Sequence, residues 1–176
     1  MNEQGFEKFY GKKVFPAVRR TPLPGGYMGK VLRVNLTDGK IKDENLPETP
    51  ILRQYLGGQG LAQYILMHEL APGTAPLDPA NPVIFMTGPL TGTGKTPAAT
   101  IFMTTTLSGM TSSPGMTSGA IVSAAAAGYF GPFLKFSGYD GIIITGASKT
   151  PVYLWINNGK AELRDASTIW GKDSHD

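Results

Sequence analysis

Alternation of apolar and polar residues predicts two β-hairpins, one near each end of the chain. Residues 28–36 alternate, and Asp38-Gly39 separates them from a returning segment at residues 41–44. Residues 152–156 face residues 161–164 across Asn158-Gly159 in the same way. Asp-Gly and Asn-Gly favour tight hairpin turns because these residues tolerate positive φ. The pattern therefore predicts antiparallel strand pairs.

Uninterrupted apolar runs predict further, more deeply buried strands at residues 83–86 and 141–145, and a β-branched run predicts another at residues 101–106. Helical spacing predicts a short helix capped by Thr49, a second over residues 61–70, and a third within residues 129–136. The four aromatic rings of the third helix are expected to lie in the core. The predicted fold class is α+β: mainly antiparallel β-sheets with a few short helices.

A glycine-rich loop follows the strand predicted at residues 83–86. Gly94-Lys95-Thr96 matches the end of a nucleotide-binding P-loop, but the leading glycine of that motif falls on Pro89. A P-loop also runs into a helix, whereas a strand is predicted here, so nucleotide triphosphatase activity is disfavoured. Two interpretations remain: an ordinary turn between strands, and a loop whose main-chain N–H groups and threonine hydroxyls hold a phosphate.

A second stretch with unusual composition is AIVSAAAAG, at residues 120–128. Four successive alanines beside a glycine leave little side-chain volume. Such a run either lets two backbones pack closely or leaves room for a flat ligand against the main chain.

Composition limits the classes of function. The chain has 176 residues with 16 basic and 13 acidic side chains, a balance too even to predict nucleic-acid binding. It has no cysteine, so it cannot by itself hold an iron–sulfur cluster or a disulfide. No apolar run is long enough to span a membrane, and a cytoplasmic protein is expected. Residues 1–26, rich in Lys, Arg and Pro, are predicted to be an N-terminal extension, and residues 27–176 one domain.

Five segments, kept in order over about four fifths of the chain, resemble the N-terminal domain of the tungsten-containing aldehyde:ferredoxin oxidoreductase family. They are GKVLRVNLTDGKI (29–41), YLGGQGLAQYIL (55–66), GPLTGT (88–93), GYFGPFLKFSGYDGIIITG (128–146, with one departure after Gly131) and ELRDASTIWGK (162–172). The resemblance implies a base of β-sheets that supports a cofactor, in a domain that is truncated at its C-terminal end.

The implied cofactor is a tungsten, or molybdenum, bis-molybdopterin whose phosphates are bridged by magnesium and which the protein contacts largely through its backbone. Residue by residue, the resemblance places the magnesium-binding carbonyl at Ala125, where the family usually has Asn. It places Thr100 or Ile101 where the family has an arginine on the pterin. The implied binding residues are Gly92, Thr93, Gly94, Thr100, Ala125, Ala126, Ala127 and Gly128. No catalytic residue is expected in this chain.

Two functions follow as hypotheses. In the first, the chain is the cofactor-supporting part of an enzyme that oxidises aldehydes to carboxylic acids and passes electrons to ferredoxin through a [4Fe-4S] cluster outside this chain; alone it would be inactive. The expected partners are the remaining domains of the enzyme and ferredoxin, with a homo-oligomer left open and neither nucleic acid nor membrane. In the second, the chain is a non-catalytic small-ligand or assembly module that keeps the fold and has lost the cofactor.

Overall fold

The computed structural model describes residues 14, 15, 18, 20–109 and 119–173. Most of the predicted N-terminal extension, and residues 174–176 of the predicted domain, lie outside the described residues, so both domain boundaries remain predictions. Within the described residues there are eight strands and three helices. The strands are β1 (Lys30–Asn35), β2 (Lys40–Asn45), β3 (Val83–Thr87), β4 (Phe102–Ser108), β5 (Ala120–Ala126), β6 (Gly141–Thr145), β7 (Val152–Asn157) and β8 (Lys160–Asp165). The helices are α1 (Thr49–Tyr55), α2 (Gly58–Glu69) and α3 (Phe130–Phe136).

Six strands form one sheet in the order β2-β1-β6-β3-β4-β5, and β7 and β8 form a separate hairpin. Neighbouring strands are antiparallel except β1 and β6, which run parallel. Both predicted hairpins are confirmed, with Asn35 opposite Lys40 and Asn157 opposite Lys160. The α+β class is therefore confirmed, with strand β6 inserted between two strands that precede it in the chain.

The sheet is covered on both faces at its centre because successive side chains of a strand point to opposite sides. One face carries Val31, Ile84 and Ile143 and packs against α1 and α2. We call this face A. The other carries Leu32 and Ile142 and packs against α3 and the β7–β8 hairpin. We call it face B. Burial on both faces explains why β3 and β6 read as uninterrupted apolar runs rather than alternating ones.

Two predicted helix features are wrong. Thr49 does not cap α1, because Glu48 occupies the cap position and the Thr49 hydroxyl instead donates to the carbonyl of Pro22. The aromatic side chains of the α3 segment are not core: Tyr129, Phe133 and Phe136 are 79%, 61% and 67% exposed. Leu134 packs into the face B core, and Phe130, 45% exposed, has its ring centroid 6.0 Å from that of Phe85 and 4.6 Å from that of Phe102. The helical spacing was sufficient to predict a helix but not which side of it is covered.

Several of the described residues before β1 contact the domain. Val14 and Phe15 pack against the face A core, and the backbone N–H groups of Arg20 and Thr21 donate to the Glu48 carboxylate at 2.8 and 3.0 Å. This part of the predicted extension is therefore attached to α1. None of the helices among the described residues combines the length and the apolar character needed to cross a lipid bilayer.

Candidate cofactor site

A groove of about 370 Å³ opens at the end of face A where β3 ends and β4 begins. Three segments line it: the turn between α1 and α2, the first half of the glycine-rich loop, and the approach to β4. The lining residues are Leu56, Gly57, Gly58, Met86, Gly88, Pro89, Leu90, Thr91, Thr96, Ala98, Ile101, Phe102 and Met103. The groove is mostly apolar and carries glycine main chain on two of its walls.

Glycine residues allow the turn between α1 and α2 to pack directly against the first half of the glycine-rich loop. A Cβ atom added to Gly57 would lie 2.7 Å from the carbonyl oxygen of Thr87 and 2.9 Å from the Cα of Gly88. Leu56, next to it, has φ 58°, a left-handed conformation that is uncommon outside glycine. The hydroxyl of Tyr27 donates a hydrogen bond to the Leu56 carbonyl, and burial, with the charge of Asp140 adding to it, raises the pKa of this hydroxyl. Tyr27 therefore stays protonated and helps to hold the strained turn.

The glycine-rich loop is a folded turn with most of its polar groups engaged internally. The N–H groups of Thr91, Gly92 and Thr93 donate to the carbonyls of Gly88, Ala99 and Leu90 at 3.2, 2.7 and 3.2 Å. The Thr91 hydroxyl donates to the carbonyl of Ile101 at 2.9 Å. The chain then enters β4 and not a helix, as predicted, so the structural context of a P-loop is missing.

The predicted loop residues differ in their surroundings. Gly92 faces α3, where an added Cβ would lie 3.4 Å from the Phe136 ring and 3.6 Å from Lys135 Cβ. Thr93 and Gly94 are exposed, and an added Cβ on Gly94 would meet no atom within 4 Å. Thr100 is half-buried beside α3, since its carbonyl oxygen would lie 3.1 Å from a Cβ on Gly131. Cofactor binding by these residues remains a prediction.

The alanine-glycine run forms the end of the sheet's edge strand and the turn after it. Ala125 and Ala126 pair with Met103 and Phe102 of β4, and residues 124–128 are exposed. Gly128 has φ 116° and would meet no atom within 4 Å if it carried a Cβ. Because paired residues share a face of the sheet, Ala125 lies on face A with Met103, at the mouth of the groove. The backbone is open to solvent here, as a ligand held by main-chain groups would require.

Both predicted segments therefore lie at one end of the sheet, on either side of the start of β4. Met103 connects them: it lines the groove, is paired with Ala125, and its Cγ would be 3.2 Å from a Cβ on Gly58. None of the eight predicted binding residues lines the groove itself. Gly94 and Gly128 are exposed, and a Cβ added to either would meet no atom within 4 Å. These observations fit a flat group held through backbone atoms at the mouth of the groove, with Ala125 to Gly128 along one side.

A buried ion pair beside the glycine-rich loop was not predicted from the sequence. Lys135 and Asp140 have side chains only 5% and 2% exposed, and Lys135 Nζ lies 2.5 Å from Asp140 Oδ1. Lys135 also donates to the carbonyl of Gly26 at 2.6 Å, and Asp140 Oδ2 accepts from the N–H groups of Met28 and Gly29 at 2.9 and 2.7 Å. A signal was present in the sequence, since both charged residues stand among apolar neighbours in FLKFSGYDGIII.

Protein side chains do not form a metal site in the described part of the chain, where no group of three or more His, Asp or Glu residues could hold an ion. His68 instead bonds through Nδ1 to the Tyr64 carbonyl at 2.7 Å and stacks on the Tyr64 ring. Any metal bound at the groove would therefore have to be held mainly by another group or by main-chain oxygens.

Comparison with known proteins identifies the family of this domain. Residues 31–176 match the model of the aldehyde ferredoxin oxidoreductase N-terminal domain. The match covers most of the chain, so the chain belongs to this family, and the resemblance seen in the sequence is confirmed.

Relatives from the genus Pyrococcus carry names that agree. The chain is 47% identical over 147 residues to the tungsten-containing aldehyde ferredoxin oxidoreductase of Pyrococcus abyssi, and 46% identical over 147 residues to that of Pyrococcus horikoshii. Each alignment covers 84% of this chain and 23% of the relative. A protein of Pyrococcus furiosus named aliphatic sulfonate oxidoreductase, WOR-like subunit, is 40% identical over 148 residues, covering 82% of this chain and 22% of that protein. The chain thus spans less than a quarter of these relatives' length.

A solved structure shares the fold. The active-site complex BamBC of benzoyl coenzyme A reductase in complex with 1,5-dienoyl-CoA superposes with a TM-score of 0.74 at 36% identity, over 85% of this chain and 21% of that chain. The relatives are enzymes, and this chain corresponds to one part of such an enzyme. Their names also differ in substrate, so this domain alone does not define what is transformed.

Proposed function

We propose that this chain is the cofactor-supporting part of a tungsten-dependent oxidoreductase that converts aldehydes to carboxylic acids and passes the electrons to ferredoxin. The observation that carries the proposal is the bare main chain at one end of the sheet, in a domain whose relatives are named tungsten-containing aldehyde ferredoxin oxidoreductases. Aldehyde oxidation and electron transfer to ferredoxin are proposed from the names of those relatives. An iron–sulfur cluster outside this chain is proposed from the family resemblance of the sequence.

The residues that would hold the cofactor are Gly94 and the run from Ala125 to Gly128, through main-chain atoms. Ala125 would offer its carbonyl oxygen to a magnesium ion bound with the cofactor, a role that needs no particular side chain because carbonyl oxygens are ordinary ligands of hard cations. Gly92, Thr93 and Thr100 would shape the loop beside it. When bound, the tungsten–pterin group supplies the two-electron redox chemistry, and the protein supplies placement and electrostatics.

The contribution of this chain's own residues would be to position the cofactor. The groove offers few polar side chains, so a bound group would be oriented by the fixed backbone of two turns and one strand end. Low side-chain volume at residues 124–128 leaves a planar group free to approach that backbone. The apolar lining, including Met86 and Met103, would keep water from the face of the group that enters the groove.

Loading the protein with metal tests the proposal. A full-length protein containing this chain is produced without oxygen in a host supplied with tungstate, and tungsten, molybdenum and released pterin are quantified together with aldehyde-dependent dye reduction. Stoichiometric tungsten with pterin and aldehyde oxidation are expected. A matched preparation from a host grown without tungstate or molybdate gives the baseline for adventitious metal.

A second function is favoured by two particular observations: the loop N–H groups at residues 91–93 are engaged internally, and neither Thr100 nor Ile101 can supply the positive charge expected there. Under this alternative the chain is a non-catalytic ligand-binding or assembly module that has kept the fold and lost the cofactor. The same preparation decides, because a folded protein with neither tungsten, molybdenum nor pterin would support the alternative and contradict the first proposal.

A further inference from the structure

Residues 26–29 run behind the candidate cofactor site and contact both of its glycine walls. A Cβ added to Gly26 would lie 2.5 Å from the carbonyl oxygen of Pro89, so this backbone is pressed against the glycine-rich loop. The Tyr27 hydroxyl reaches the carbonyl of Leu56, in the turn that forms the other wall. We call residues 26–29 the clamp segment.

The buried ion pair is what attaches the clamp segment to the sheet. Each charged group divides its hydrogen bonds between its partner and the clamp: Lys135 Nζ binds Asp140 Oδ1 and the Gly26 carbonyl, while Asp140 Oδ2 accepts the N–H groups of Met28 and Gly29. The three bonds to the clamp join residues more than 100 positions apart in sequence. The clamp therefore depends on two side chains, one from α3 and one from the residue just before β6.

The same two residues also contact the loop directly. The main-chain carbonyl of Asp140 accepts both the N–H and the hydroxyl of Thr87, at 2.9 and 2.6 Å, immediately before Gly88. Lys135 packs at its Cβ against the position of Gly92. Asp140 therefore holds the residue before the loop through its carbonyl, and Lys135 packs on the middle of the loop at Gly92. These contacts are in addition to the hydrogen bonds to the clamp.

A gain in stability does not explain this arrangement. Burying two charges costs free energy that their attraction barely recovers, and apolar side chains of similar volume often serve equally well. An apolar pair cannot form hydrogen bonds with the carbonyl of Gly26 and the N–H groups of Met28 and Gly29, so these partly buried bonds to residues 26–29 would be lost. The hydrogen bonds to the clamp are therefore the distinctive property of this ion pair.

We propose that Lys135 and Asp140 are positioning residues: they hold the clamp segment against the turns at Leu56 and at Gly88-Pro89 and so fix the width of the cofactor site. This inference rests on the proposed function for its consequence in the loaded enzyme. The positioning itself concerns only residues of this chain and is measurable in the absence of any cofactor.

Hydrogen exchange tests the positioning on the full chain without metal. Lys135→Met is expected to lower amide protection about tenfold or more at residues 26–29, 56–58 and 88–93, because local opening there loses its restraint. Asp140→Asn keeps an oxygen for Met28 and Gly29 and should have a smaller effect than Asp140→Ala. Ile142→Ala serves as the control, since Ile142 is buried on face B and makes no hydrogen bond to the clamp. Exchange in each variant is measured at the same number of degrees below that variant's thermal unfolding midpoint.

A second measurement separates positioning from stability. The double variant Lys135→Met/Asp140→Leu is expected to recover much of the melting temperature while protection of the clamp stays low. In the tungsten-loaded full-length protein, Lys135→Met should release pterin at least several-fold faster than the Ile142→Ala control.

Equal amide protection in Lys135→Met and Ile142→Ala would overturn the inference. A wild-type protein that never holds tungsten or pterin would instead overturn the proposed function, and the exchange data would still decide the role of the ion pair.

Discussion

Gly57 is the residue at which the two glycine walls of the groove come closest, and it gives the first prediction. Its φ of 174° is open to any residue, so substitution is resisted by contact and not by backbone strain. Because an added Cβ would lie 2.7 Å from the Thr87 carbonyl oxygen, Gly57→Ala must push the walls apart. We expect a loss of about 1–3 kcal/mol in the free energy of unfolding, measured with urea.

Gly25→Ala is the matched control for this change, because a Cβ on Gly25 would meet no atom within 4 Å. It should change stability by less than about 1 kcal/mol. If both variants unfold at the same urea concentration, the close approach of the two walls does not exist in solution.

Glu44 gives a pH-dependent prediction at the same scale. Burial alone would raise its pKa, but hydrogen bonds from Lys42 and Arg33 outweigh burial and lower the pKa below its ordinary value of 4.5. A lowered pKa in the folded state means that the ionised form stabilises the fold above about pH 4.5, and that this contribution is lost as pH falls through the folded-state value. Glu44→Gln should therefore cost on the order of 1 kcal/mol at pH 7 and much less near pH 3.

Urea unfolding of wild type and Glu44→Gln at the two pH values measures this difference. Glu162→Gln is the control, since Glu162 pairs with Arg164 on the surface, where the side chains are 55% and 42% exposed and an ion pair contributes little. A Glu44→Gln penalty that is the same at pH 3 and pH 7 would contradict the assignment of the effect to the ionised carboxylate.

At the scale of elements, β5 decides on which side of the sheet a cofactor would lie. Ala125 is on face A, opposite Met103 at the mouth of the groove, while Ala124 points to face B. An indole at residue 125 would fill the space in front of the groove, whereas one at residue 124 would not. We expect Ala125→Trp to abolish tungsten retention in the full-length protein and Ala124→Trp to retain most of it, by elemental analysis of protein with unchanged circular dichroism. Equal retention would place the cofactor elsewhere.

Elements differ in how far the sequence alone could predict them. Asp38-Gly39 and Asn158-Gly159 specify their hairpins locally, through turn chemistry, so these were predicted together with their pairing. The insertion of β6 between β1 and β3 depends on pairing with strands 110 and 55–61 residues earlier in the chain, for which alternation and propensity carry no information. The exposure of Tyr129, Phe133 and Phe136 was mispredicted because helical spacing does not show which side of α3 faces the sheet. Lys135 and Asp140 were missed because a charged residue in an apolar segment has no partner until the fold brings one.

At the scale of the whole molecule, face B carries a second groove, of about 390 Å³, between α3, the sheet and β7. It is lined almost entirely by apolar residues: Phe85, Phe130, Phe133, Leu134, Ser137, Ile142, Ile144, Leu154, Trp155 and Ile156. Apolar surface of this kind is uncommon on a protein that is complete as a monomer. Since the chain spans 23% of its relatives, much of their additional length is available to cover it.

The groove predicts how the chain behaves with a fluorescent apolar dye such as anilinonaphthalene sulfonate. The isolated chain should bind the dye, and Trp155, at the rim, should transfer excitation energy to it. Phe133→Ser should weaken binding several-fold, since Phe133 lines the groove and is 61% exposed, so that its loss removes contact area without opening the core. Trp170→Phe is the control, because Trp170 does not line the groove and energy transfer should persist without it.

In a full-length protein the dye fluorescence per chain should fall because the groove is covered. An undiminished fluorescence would mean that face B stays open and that the additional chain packs elsewhere.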